Sequence, residues 1–214
     1  MSGAAIPPME RRDVPAVPVA AVVVSRNSAG DLPGCLAALK AAGIAETIVV
    51  DNASSDGSAD AARVAGARVI ANTDNRGYGA GLNQGIAACA TEAALCLNAD
   101  VTVSRWAPGR LWAVMQEHPR LGVIGPRLFN PDRTLQPSAN RRFPGLASYV
   151  ADVSGFAGLK MRLYRTGFVR RVAGPLWYGP LHWRTGPVAW VGGAALLVRR
   201  SAWEAVGGFD ERFF

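Results

Sequence analysis

The stretch "LCLNADV", residues 95–101, ends an apolar run in two oxygen-bearing side chains spaced two apart, Asn98 and Asp100. In an extended chain, residues i and i+2 point to one face. A carboxylate and an amide oxygen can therefore reach one point. Together with phosphate oxygens they make a hard-oxygen site suited to Mg2+ or Mn2+. A plain turn accounts for the same residues, because Asn and Asp both close turns through their own side chains.

Three other apolar runs end in the same manner. Ser25-Arg26-Asn27 follows "VAAVVV", Asp51-Asn52 follows "ETIVV", and Asn72 through Asn75 ends "ARVIANT". One such ending is turn chemistry; four in series predict a polar ligand shared at the carboxyl edge of an α/β sheet. "VDNASSDGS", residues 50–58, poses the question most sharply, since six small polar residues crowd the end of one buried strand.

Several chemistries are excluded. "GYGAGL" at 77–82 misses the dinucleotide fingerprint, with Leu82 where the last glycine belongs. There is no GxxxxGK[ST] loop and no GxSxG elbow. Cys35, Cys89 and Cys96 have no zinc spacing, and neither do the isolated His118 and His182, which read as surface or helix-end residues.

The elements that must carry these residues alternate. Strand patterns at "VAAVVVSRN", "ETIVVDN", "ARVIANT" and "AALCLNADV" are separated by helix patterns at "DLPGCLAALKAAG", "SADAARVAG" and "YGAGLNQGIAACA", and "APGRLWAVMQEHP" follows as a further helix. Asp31 and Ser58 read as N-caps and Gly43 as a helix stop. Continuous apolar strands alternating with helices predict an α/β fold, a mostly parallel sheet with helices on both faces. Residues 17–130 form the regular half. Residues 131–214 are less periodic until "PVAWVGGAALLVRRSAWEAVGG" restores a strand and a short helix.

Composition agrees with one sizeable core: 214 residues, half of them apolar and 18% charged. Three cysteines without a CxxC pair predict a reducing compartment. Asp13, Pro15 and Pro18 break up what would otherwise resemble a signal sequence, and residues 1–16 read as a disordered leader. No apolar run reaches the roughly 18 residues of a spanning helix.

The net charge of +7 is local. Residues 141–184 hold eight Arg or Lys against Asp152 alone, which equals the charge of the whole chain. Lys160, Arg162, Arg165, Arg170 and Arg171 interleave with Tyr164, Phe168, Trp177, Tyr178 and Trp183. This pattern suits a surface meeting anionic lipid headgroups or a lipid-diphosphate, or equally a solvated basic face with aromatics packed inward. No nucleic-acid motif is present.

Taken together, "VVVSRNSAGDLPGCLAAL", "IVVDNASSDGS", "NRGYGAGLNQGI", "LCLNADV", "GPRLFNPDRTLQPS" and "VGGAALLVRRSAWEAVGGFDERFF" resemble, in order, the family 2 glycosyltransferases, inverting enzymes of the GT-A fold, and in particular their rhamnosyltransferase-like branch. The resemblance implies a donor site for a dTDP- or UDP-linked sugar contacted by Asn27, Asp51, Asn75, Gly77, Asn83 and Asn98. In it Asp51 would accept from the pyrimidine N3–H, and Asp100 would hold Mg2+ or Mn2+. Asn98 stands where the DxD motif expects its first Asp. The implied acceptor is a cell-envelope glycan or polyprenyl-diphosphate glycolipid, and the implied location is cytoplasmic, peripheral at the inner face of the plasma membrane. The family's catalytic base belongs to an acidic pair expected just after Phe214, while Asp210 and Glu211 match the lead-in to that pair. The competing expectations are a nucleotide-sugar binding module without turnover and, last, a nucleotidyltransferase, whose glycine-rich basic loop is not found in "SRNSAGDLPG".

Overall fold

A computed structural model describes residues 17–133, 135–136, 139–140, 154 and 185–213. The leader expected at 1–16 and, apart from Ser154, the basic-aromatic segment at 141–184 lie outside the described residues. The chain divides into two compact units. The first comprises the residues up to Val123 together with those from Leu197 onward, and the second comprises Ile124–Leu196.

The first unit begins with strand β1 (Ala20–Ser25), helix α1 (Leu32–Ala41), β2 (Thr47–Asn52), α2 (Ser58–Val64), β3 (Arg68–Asn72), α3 (Tyr78–Ala88), β4 (Ala93–Asn98) and α4 (Ala107–Glu117). β5 (Val123–Ile124) and β10 (Ala195–Arg199) fall at the boundaries between the units, and α5 (Arg200–Val206) follows in the first. These strands form one sheet in the order β3-β2-β1-β4-β10-β5. The pairings of β1 with β2, β1 with β4, and β2 with β3 are all parallel. The alternation expected from the sequence is therefore present, and the sheet is the mostly parallel α/β kind.

The second unit holds short antiparallel pairs. β6 (Leu128–Phe129) pairs with β7 (Leu135–Gln136), and β8 (Ala139–Asn140) pairs with β9 (Trp190–Val191).

Adjacent residues of β1 point to opposite faces of the sheet. Val22 and Val23 are both fully buried, so both faces are covered. Gly85 and Gly81 of α3 lie over Val22 and Val24, leaving no room for a Cβ at Gly85. Two consecutive arginines then tie the helix ends to the last strand. Arg199 donates to the carbonyls of Met115, His118 and Leu121 at the end of α4 and pairs with Glu92 at 3.1 Å. Arg200 donates to the Cys89 carbonyl at the end of α3 and to Glu204 at 2.8 Å. Cations suit these helix C-termini, where carbonyls lack intrahelical partners. His118 takes the helix-end place expected of it, as the C-cap of α4.

Of the two expected caps, Asp31 keeps the N-cap position without a side-chain bond, and Ser58 moves one place into the helix. Ser58 opens α2, but Gly57 is its N-cap, and the Ser58 hydroxyl donates to Asp56 Oδ1. Asp31 does precede α1. Its backbone is helical (φ −94°, ψ −36°) rather than extended, and its side chain makes no capping bond.

Candidate functional site

Register aligns the carboxyl ends of the strands. Ser25 stands beside Asp51, Val24 beside Asn98, and Asn52 beside Asn72. An open cleft of about 520 Å3 lies at this edge. Its polar lining is Ser25, Arg26, Ser28, Asp31, Asn52, Asn75, Asn98 and Asp100, with Gly77 and Tyr78 at the start of α3. The size and position fit a ligand site of an α/β sheet.

Asn75, Gly77, Asn98 and Asp100, four of the residues expected from the sequence, meet in this cleft. Asn27, Asp51 and Asn83 do not line it. The Asp51 side chain is only 3% exposed, and its carboxylate accepts from Ser54 Oγ at 2.6 Å and Ser54 N at 3.0 Å. Ala53 adopts a left-handed φ of 56°, which turns the chain back for this contact. Asn27, also at positive φ (49°), accepts the Ser55 amide at 2.9 Å and donates its own amide to Ser54 Oγ at 2.9 Å. Asn83 faces the C-terminal segment.

These contacts explain "VDNASSDGS". Its small polar residues brace the β2–α2 loop to the β1–α1 loop. The Ser28 amide donates to Ser58 Oγ at 2.8 Å and the Ala29 amide to Asp56 Oδ2 at 2.8 Å. The hydrogen bond from the Ser58 hydroxyl, helped by the Ala29 amide, holds the Asp56 carboxyl below the usual carboxylate range.

The floor of the cleft is also fixed. Asn52 donates to the Gly77 carbonyl at 3.0 Å and accepts from Asn72 at 2.8 Å, while Asn72 and Gln84 exchange a reciprocal pair of amide bonds. The Gly77 amide donates to Asn75 Oδ1 at 3.1 Å. Gly77 itself has a φ of +83°, which few residues with a side chain adopt.

One buried group of the cleft lining is left without a partner among the described residues. Ser25 Oγ, in a residue 1% exposed, makes no hydrogen bond among the described residues. Such an atom carries a desolvation penalty until something meets it. Burial pushes the Tyr78 phenol up, with nearby Cys96 and Asp100 adding to the effect. Burial likewise raises the Cys35 thiol to about 11, again with Asp100 contributing.

The donor set fits a divalent cation. Two exposed carboxylates, Asp31 and Asp100, and the Asn98 amide line one cleft. No group of three or more His, Cys, Asp or Glu able to hold a metal occurs among the described residues. The remaining ligands of a hard ion would be ligand or water oxygens. Sequence reasoning missed Asp31, because a helix-preceding Asp reads as a cap, and Tyr78, which it took for part of a small-residue helix.

The chain is 33% identical over 195 residues to the N-acetylglucosaminyl-diphospho-decaprenol L-rhamnosyltransferases of two Mycobacterium tuberculosis strains, CDC 1551 and H37Rv. Each alignment covers 78% of this chain and 56% of the relative, so the chain spans little more than half their length. Two solved structures share the fold. A mannosyltransferase from Pyrobaculum calidifontis in complex with GDP-Man and Mn2+ superposes with a TM-score of 0.57 at 16% identity, covering 90% of this chain and 47% of that one. A mannosyl-3-phosphoglycerate synthase from Rubrobacter xylanophilus gives 0.53 at 19% identity, covering 86% and 54%. Residues 20–177 match Glycosyl transferase family 2, and the chain belongs to that family.

Proposed function

We propose that this chain carries the donor site of an inverting, metal-assisted glycosyltransferase that moves a sugar from a dTDP- or UDP-linked donor to a lipid-linked or cell-envelope glycan acceptor. The 33% identical relatives favour rhamnose as the sugar and a polyprenyl-diphosphate glycolipid as the acceptor. The observation that carries the reading is the cleft at the carboxyl edge of the sheet, where Asp31, Asn98 and Asp100 share a lining with the first turn of α3.

The residues divide the work. The start of an α-helix favours negative charge, so the first turn of α3, at Gly77 and Tyr78, suits a diphosphate. Arg26 adds a cation to the same lining. Ser25 Oγ supplies a buried hydroxyl for a nucleotide oxygen or N–H. Asp31, Asp100 and Asn98 would hold the divalent ion, which would neutralise charge growing on the departing diphosphate. Asp51 and Asn27 act one layer behind, by fixing the loops.

Calorimetric titration of the chain with dTDP, UDP and GDP, with and without Mn2+, tests this reading. It predicts Mn2+-dependent binding of a pyrimidine diphosphate. No binding of any of the three would overturn it.

A further inference from the structure

The side-chain amide of Asn83, in the second turn of α3, is saturated. Its Oδ1 accepts from Trp203 Nε1 at 2.9 Å and from the Phe209 amide at 2.8 Å. Its Nδ2 donates to the Phe209 carbonyl at 2.9 Å and to Glu211 Oε1 at 2.8 Å. Two N–H donors and two lone pairs are the whole capacity of a primary amide. All the partners come from α5 and the loop after it, at least 120 residues further along the chain.

Glycine allows the close approach. Gly208 has a φ of +86°, and a Cβ there would fall 2.8 Å from Asn83 Oδ1. Next to the cleft-lining Tyr78, a Cβ on Gly79 would stand 3.5 Å from Phe209 Cβ and 3.8 Å from the Asp210 carbonyl oxygen. The loop of residues 208–211 therefore packs on the same helix turn that opens at the cleft.

The two acids of this loop are in different states. Asp210 is taken up by Arg212, at 2.9 Å through Nε and 2.6 Å through Nη2, and that contact holds its carboxyl below the usual range. Glu211 is tied through Oε1 to Asn83, and among the described residues its Oε2 makes no hydrogen bond. It is an exposed carboxylate with one oxygen fixed and the other open.

We propose that Asn83 is a positioning residue for the acceptor: it holds the loop of residues 208–211 on α3 and orients Glu211 so that Oε2 accepts a hydrogen bond from a hydroxyl of the acceptor sugar. The inference rests on reading the adjacent cleft as the donor site. It assigns the acceptor side to a second face of the same helix. A structural tie alone would use the Asn83–Glu211 contact without needing the free oxygen.

Amide chemistry separates the two roles. In Glu211→Gln the side-chain oxygen stays on Asn83 Nδ2, and an NH2 donor replaces the outward acceptor. Adding Asn83→Asp keeps an acceptor for Trp203 Nε1 and the Phe209 amide, removes the donor to the Phe209 carbonyl, whose cost the melting temperature reads, and makes the glutamine turn its NH2 inward, which presents its oxygen outward again. The probes are dTDP and UDP with Mn2+, and a short-chain polyprenyl-diphospho-N-acetylglucosamine titrated in the presence of the tighter nucleotide. Melting temperature is followed in every variant.

Glu211→Gln is expected to leave melting temperature and nucleotide affinity unchanged within twofold and to weaken glycolipid binding about tenfold or more, as loss of a charged hydrogen bond does. The double variant is expected to regain part of that loss. The proposal is overturned if Glu211→Gln leaves glycolipid binding within twofold, if the double variant binds no better than Glu211→Gln alone, or if the wild-type chain does not bind the glycolipid. Glycolipid binding without binding of either nucleotide would remove the donor reading and leave the Asn83–Glu211 assignment standing.

Discussion

Asp56 accepts the backbone amide of Ala29 at 2.8 Å, joining two loops that lie 27 residues apart in the chain. Its carboxyl also takes the Ser58 hydroxyl, which contributes most to keeping it ionised. A folded-state pKa below the unfolded value adds stability at pH values above the ordinary carboxylate range. That stability is lost as pH falls through the folded value. Melting temperature should therefore drop on acidification below about pH 4, and Asp56→Asn should flatten this part of the profile. Thermal melts between pH 6 and pH 3 measure it. An identical acid slope in wild type and variant would refute the role.

Ser25→Ala should raise the stability of the ligand-free chain by about 1 kcal/mol, because it removes a buried hydroxyl with no partner. The same change should weaken nucleotide binding. Paired denaturation and calorimetry would show the two effects with opposite signs. A loss of stability would mean that the hydroxyl is already satisfied.

Asp31→Asn and Asp100→Asn should each reduce the Mn2+ dependence of pyrimidine-diphosphate binding about tenfold or more and leave the melting temperature nearly unchanged, since both carboxylates are exposed. Asp51→Ala should behave in the opposite way. It strips two hydrogen bonds from Ser54 at a buried position and should cost about 1–3 kcal/mol of stability. Ser54→Ala should reproduce part of that loss. If Asp51→Ala instead lowered nucleotide affinity at constant stability, the contact with the base implied by the family resemblance would regain the lead.

Glycine to alanine should have opposite effects in α3 and α1. Gly85 has Val22 against it, so Gly85→Ala overpacks the interface and should destabilise by about 1–3 kcal/mol. Gly34 has open space around its Cβ direction, and Gly34→Ala should stabilise α1 by about 0.5–1 kcal/mol. Chemical denaturation of both variants checks the pair.

All three cysteines are buried, and burial is the main cause that raises each thiol. Thiolate is the reactive form. Thiol titration of the native chain at pH 8 should count close to zero fast-reacting groups and rise to three on denaturation.

Much of this was legible in the sequence, and the reasons are physical. Val22 through Val24 and Ile48 through Val50 are continuous apolar runs, which is how a strand buried on both faces reads. Asn98 and Asp100 were singled out by strand periodicity, but β4 ends at Asn98 and residues 99 and 100 form a turn in which the Val101 amide donates to the Asn98 carbonyl at 3.2 Å, so it is this turn and not an extended chain that brings both to the cleft. Asp31 was hidden because the cap preference of aspartate is a local statistic, and here the backbone at that position is already helical. Asn83 was placed along the nucleotide by the family resemblance, at the end of the run that starts at Asn75. Its actual partners, Trp203, Phe209 and Glu211, lie too far along the chain for any periodicity to reveal. Asp51 and Asn27 were assigned from the position of polar groups at strand ends, which does not show whether they face outward or brace one another.

The brace between residues 27–29 and 54–58 bears on the thermodynamics of recognition. A rim already cross-linked by hydrogen bonds has little conformational freedom left to lose when a ligand arrives. Affinity at this side of the cleft then reflects contacts made rather than order imposed. Nucleotide binding should proceed at that rim as to a rigid body, with the backbone of the two loops keeping the positions it holds in the free chain.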